Sequence, residues 1–204
     1  WSLDGGPTPT PAVLADDDVK AHAIAFFATL PLALHRDDLR IVHACWDDAM
    51  IEIARTYDDA KVLLEEYEKR IDERHRNSAL DKTDQGLAHQ NENPAKVLTS
   101  GFERRIATPF LASGRMRYEE RVPWWETYAA ETLCLYGHYS RLRGQPGSGP
   151  RAWCLDYGAA KRWQERLAPD FDGRHLGHLA ALRMPERELV FDHGQRETLS
   201  AGPP

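Results

Sequence analysis

The residue pattern predicts a mixed α/β (α+β) domain, with helices concentrated in the first half and short strands in the last third. Three observations carry that expectation. Apolar residues recur at helical spacing over 48–75, at Met50, Ile51, Ile53 and Ala54 and again at Val62, Leu63, Leu64, Tyr67 and Ile71, with charges between them. Short apolar runs, "LRIVHACW", "TLCLYGHYS", "AWCLDYG", "HLAALRM" and "ELVFD", are separated by turn residues, as strands are. The length of 204 residues, 42% apolar and 28% charged, suffices for a buried core.

Taken in order, residues 1–16 are rich in Gly and Pro and read as an irregular lead-in to a single domain spanning 1–204. Asp16-Asp17-Asp18 offers a cap, and negative charge at the positive end, to a helix through "VKAHAIAFFATL" that Pro31 closes. After the basic turn "HRDDLR", a buried strand is predicted from Leu39 to about Trp46. Residues 48–75 predict one or two amphipathic helices broken near Tyr57-Asp58-Asp59, and the charge run "EEYEKRIDERHR" reads as their solvated face. Residues 77–94 are polar and nearly featureless, so a surface loop is expected there. The Gly/Pro loop 144–150 predicts that the strands on either side are neighbours, and the tail 195–204 is expected to fray.

Composition removes several function classes. The formal net charge of −6 argues against generic affinity for nucleic acid or an anionic membrane, while leaving room for a small anionic substrate held by local arginines and metal. No apolar run approaches the roughly 20 residues of a membrane span, and no signal-peptide pattern opens the chain. Cys45, Cys134 and Cys154 form no Cys-x-x-Cys pair and fall within predicted strands, which implies buried, reduced thiols and a cytoplasmic protein. The start at Trp1, without an initiator methionine, reads as a chain entered midway.

Three strand ends carry residues with chemical potential: His43 after "RIV", Gly137-His138-Tyr139 after "LCLY", and Asp156-Tyr157-Gly158 after "WCL". Sites form where strands end and loops begin, and two imidazoles from separate strands suit a borderline first-row metal ion. Gly137 is expected to let the backbone turn sharply and aim the next ring outward. A structural role for each histidine stays open on spacing alone. Asp47 fits either a group that orients a ligand or a helix cap. Trp124 and Trp125 fit either a nucleobase platform or a core, and Asp156 is expected to tether its loop.

In sequence order, "VHACWD", "NPAKVLTSGFE", "RYEERVPWWE", "YGHYSR" and "CLDYGAA" with "HLAALR" resemble bacterial calcineurin-like metallophosphoesterases from about residue 25 to about 190. The branch most similar is that of diadenosine tetraphosphatases and the serine/threonine phosphatases. The resemblance implies a four-layer β-sandwich flanked by helices, with a dinuclear metal centre at the strand ends. It places His43 and His138 as ligands of the second metal, with Mn the implied ion and Ser140 standing where many relatives carry another histidine. It implies hydrolysis of phosphomonoesters or dinucleoside polyphosphates, a phosphorylated small molecule or nucleotide being the substrate. Arg117, Arg121 and Arg141, with the Tyr139 hydroxyl, are the groups expected to meet the phosphoryl oxygens.

The family's upstream motifs are absent: the 204 residues contain no Asp-x-His, no Gly-Asp and no Asn-His. The expectation is therefore the C-terminal portion of such a hydrolase, weakly active or inactive alone. Its sheet edges would be left exposed for self-association, chiefly where upstream strands would pair with "RIVHACW". The alternative is a catalytically dead module that keeps the fold to bind protein or nucleotide.

Overall fold

In the computed structural model, which describes residues 15–112, 115–140 and 149–199, the first five helices all begin the same way. Each is preceded by an Asp or Asn whose side chain accepts a backbone N–H of the first turn. Asp16 caps α1 (Asp17–Ala28), Asp47 caps α2 (Asp48–Ala54), Asp59 caps α3 (Ala60–His75), Asp81 caps α4 (Lys82–Glu92), and Asn93 caps α5 (Pro94–Ser100). The break expected near Tyr57-Asp58-Asp59 is therefore real: α2 ends at Ala54, and Asp59 caps the start of α3. Asp47 is a helix cap, accepting from Met50 N at 3.0 Å.

The surface loop expected over 77–94 is a correction, because most of that span is α4. It has no fully buried residue, so no apolar stripe announces it. Polar side chains hold it instead. Asn91 exchanges two hydrogen bonds with the Glu103 backbone, at 2.8 and 2.9 Å, and Gln90 donates to Gly101 O at 2.6 Å. His89 meets Glu68 and Asp72 of α3, and Glu92 meets Arg74 and His75.

The central sheet contains β1 (Ala33–Arg36), β2 (Leu39–Val42), β5 (Leu133–Tyr136) and β6 (Ala152–Cys154), in the order β1-β2-β5-β6. A tight hairpin joins antiparallel β1 and β2, whereas β2, β5 and β6 run parallel. The strands on either side of 144–150 are neighbours as predicted. The strand expected from Leu39 to Trp46 stops at Val42, and β2 is paired on both sides. The exposed edge expected at "RIVHACW" is thus corrected: the outer strands of this sheet are β1 and β6.

Between the parallel strands the chain forms a two-stranded ribbon, β3 (Glu103–Ala112) with β4 (Arg115–Arg121). After β6, the four-residue helix α6 (Arg162–Glu165) leads into an antiparallel sheet of β7 (Ala180–Arg183), β8 (Glu188–Phe191) and β9 (Arg196–Thr198). Residues 196–198 therefore pair in register, where fraying was expected.

The core lies between the central sheet and α2 and α5. Val42, Ala44, Cys45 and Trp46 pack with Ile51, Val97, Leu98, Trp124, Trp125, Cys134, Tyr136 and Cys154. All three cysteines are buried thiols outside any disulfide, as predicted. Trp124 and Trp125 are core residues: Trp124 Nε1 donates to Ala44 O at 3.0 Å, and the Trp125 ring stacks on Tyr136 with centroids 5.6 Å apart. Among the described residues, no helix is long and apolar enough to cross a membrane.

Candidate functional site

Parallel pairing is what brings the two predicted histidines together. The β2–β5 register matches Leu39 with Leu133, Arg40 with Cys134 and Ile41 with Leu135, so both chains leave the sheet side by side. The contact persists beyond the strands, where Gly137 N donates to His43 O at 2.9 Å. The His43 and His138 rings lie 5.3 Å apart between centroids, tilted by 58°. β6, parallel to β5, delivers Asp156 two residues past its own end, and a Cβ built on Gly137 would lie 3.8 Å from that of Asp156. Three parallel strands thus end in His, His and Asp at one edge of the sheet.

The turn that aims His138 differs from the expectation. His138 itself adopts the left-handed backbone, with φ of 65°, while Gly137 does not. Tyr139 N donates back to Gly137 O at 2.7 Å, closing a three-residue turn around the histidine. A non-glycine residue in this region is uncommon and stores strain of about 1–3 kcal/mol. A Cβ on Gly137 would make only ordinary contact, 3.5 Å from His43 O.

The electrostatics favour a neutral His138. Burial, then the charge of Arg121, then His43, press its imidazolium down to about 4, against a smaller opposite pull from Asp156. Arg121 Nη1 donates to His138 O at 3.3 Å, and its guanidinium lies 5.5 Å from the Tyr139 ring centroid. His138 Nε2 is buried and has no hydrogen-bond partner among the described residues, and Ser140 Oγ is in the same condition. A buried nitrogen of a neutral imidazole, without a partner and beside a second imidazole, fits a divalent metal. Two imidazoles supply only part of a coordination shell.

The other predicted residues separate. Arg121 belongs to the site through His138. Arg117 is exposed on β4 and pairs with its neighbour Glu119 at 3.3 Å. Tyr139 is a correction: its hydroxyl is buried and so close to Gly101 that a Cβ there would lie 1.8 Å away, so it does not face a phosphate. Arg141 lies outside the described residues. Asp156 Oδ1 accepts from Gly158 N at 2.8 Å, tethering the loop as expected. A pocket of about 420 Å³ opens between α1, α2 and α3, walled by Leu30, Trp46, Ile51 and Leu63, and none of the predicted site residues lines it.

Sequence reasoning missed one cluster, formed by His178, Asp192 and His193, whose nearest ligand atoms all lie within 4.8 Å of one another. The signal was the strand pairing. "HLAALRM" and "ELVFD" as antiparallel neighbours, with Ala180 opposite Phe191, bring His178 across from His193.

No family model, curated protein or solved structure matches the chain.

Proposed function

We propose that this chain belongs to a divalent-metal-dependent phosphoesterase and supplies His43 and His138 to one metal of its centre. The observation that carries the reading is the convergence of parallel strand ends on two imidazoles 5.3 Å apart, one with an unpaired buried nitrogen. In this reading the central sheet is part of a four-layer metallophosphoesterase sandwich, the resident ion is Mn²⁺, and the substrate is a phosphomonoester or dinucleoside polyphosphate. When bound, the metal pair supplies an activated water and a clamp on the phosphoryl oxygens.

The chain's own groups have separate tasks. Burial keeps His138 neutral, and hence a ligand, throughout the physiological range. Arg121 holds the His138 carbonyl and brings positive charge to the edge where a phosphoryl group would bind. Asp156 fixes the neighbouring loop through Gly158. Asp-x-His, Gly-Asp and Asn-His are absent from the 204 residues, so the reading assigns this chain only the second-metal half of the centre. The same absence favours a second reading, a fold retained to bind nucleotide or protein without turnover.

Calorimetric titration with Mn²⁺ tests the proposal. The expected result is saturable binding, weakened at least tenfold by His43→Ala and equally by His138→Ala, with little hydrolysis of an aryl phosphate by this chain. Binding that ignores both substitutions would sink it, and saturable nucleotide binding indifferent to Mn²⁺ would favour the second reading.

A further inference from the structure

We infer that His178, Asp192 and His193 form a second metal site, taking one borderline divalent ion of the zinc class at the tip of the β8–β9 hairpin. This inference is independent of the phosphoesterase reading, because it uses a different sheet and different residues.

The geometry comes from the backbone. Asp192 N donates to Leu179 O at 3.0 Å, which continues the β7–β8 ladder and sets His178 opposite His193. Gly194, with φ of 91°, lets the chain reverse directly after His193, and Phe191 and Gln195 close the turn at 2.9 Å. His178 N donates to Tyr157 O at 2.9 Å, so the cluster also anchors the loop that follows β6.

Hydrogen bonds fix which ring nitrogens carry lone pairs. Gln195 Nε2 donates to Glu197 Oε1 at 2.7 Å, which leaves its Oε1 to accept from His193 Nε2 at 3.1 Å. In the neutral ring, His193 Nδ1 is then the nitrogen with the lone pair. Arg162 has only donors, and its Nη2 lies 3.3 Å from His178 Nδ1, so that nitrogen accepts a hydrogen bond that an entering ion would displace. Both Nδ1 atoms stand 3.7 Å from Asp192 Oδ1. Three ligands on a tetrahedral zinc, at bonds of about 2.1 Å, stand about 3.4 Å apart, so the carboxylate–histidine separations of 3.7 Å need a small contraction and the cluster as a whole, spread within 4.8 Å, a larger one.

The surroundings complete the description. Arg162 pairs with the other Asp192 oxygen and donates to Gly177 O at 2.6 Å, orienting the carboxylate while leaving Oδ1 to the histidines. Burial of the three side chains is partial, with His193 the most exposed at 42%, so an ion can enter from solvent. Two imidazoles and a carboxylate suit Zn²⁺ or Co²⁺, with a fourth position left for water.

Titration with Co²⁺, followed by visible absorption and by the shifted imidazole proton resonances, tests the site, with Zn²⁺ as competitor. One equivalent should bind in the His43→Ala/His138→Ala background, Zn²⁺ should displace it, and the shifted rings there should be those of His178 and His193. His193→Ala and the milder His193→Gln should each weaken binding at least tenfold without lowering the melting temperature of the metal-free chain, while His43→Ala/His138→Ala leaves this binding intact. Unchanged affinity in both His193 variants, or loss of binding only in the His43/His138 variant, would overturn the inference.

Discussion

His138 holds its imidazole on a left-handed backbone, and that position sets function against stability. Glycine would adopt φ of 65° without strain, and replacing the ring would remove the unpaired buried Nε2. His138→Gly should therefore melt no lower than the parent while losing Mn²⁺ binding; a large fall in melting temperature would show that the ring is there for packing. At this scale the sequence was informative about residue type and less so about conformation. His43, His138 and Asp156 were legible as strand-end residues because strand ends are where polar groups leave an apolar run. Their backbone was not, since "GHY" suggests that the glycine makes the turn, and here the histidine does. Tyr139 misled for a related reason. Its place beside a candidate ligand suggested a polar role, but the turn carries its ring into the aromatic core beside Trp125 and Tyr136.

At the scale of elements, the segment most worth testing is the junction of α5 with β3. Gly101 has φ of 84° and ψ of 172°, a region open essentially to glycine alone, and its Cβ would collide with the Tyr139 hydroxyl. Gly101→Ala should cost at least about 1–3 kcal/mol from the backbone alone, with a steric cost added. Tyr139→Phe should recover part of the steric cost and none of the backbone cost, which denaturant melts of the three variants would separate; an undiminished melt for Gly101→Ala would refute the account.

Helix α4 predicts a pH effect. Partial burial works to raise the Glu68 carboxyl, but the hydrogen bond and charge of Lys96, 2.5 Å away, and the His89 contact hold it below its ordinary 4.5. A depressed carboxyl contributes stability above its unfolded value and loses it as the pH falls through the folded one. Glu68→Gln should therefore flatten the decline in stability below about pH 4.5; melts at pH 6 and pH 3 that shift equally in both proteins would contradict this. α4 escaped the sequence reading because such polar contacts, rather than an apolar face, dock it. α2 and α3 were legible because their apolar residues keep helical spacing.

For the whole molecule, the exposed apolar surface matters most. α1 buries none of its residues and leaves Val19, Ile24, Phe26 and Phe27 exposed, and the β3–β4 ribbon presents Phe110, Leu111, Met116 and Tyr118 to solvent. Surfaces of this kind associate. Light scattering should show concentration-dependent self-association, reduced by Phe26→Ser/Phe27→Ser; a strict monomer at high concentration would contradict it. The mixed α/β class and the neighbouring of β5 with β6 were legible from apolar runs and turns, but not that the two run parallel. The hairpin of β1 with β2, and the pairing that assembles His178 with Asp192 and His193, were not. Both depend on register, which a single strand's residues do not declare.

The central claim is that His43 and His138 share a metal. It is tested most directly by following the chain's imidazole resonances during substoichiometric addition of paramagnetic Mn²⁺. The account predicts that His43 and His138 broaden first and together, ahead of the surface histidines, and that His43→Ala abolishes the effect at His138. Broadening spread evenly over all the histidines, or confined to His178 and His193, would contradict it.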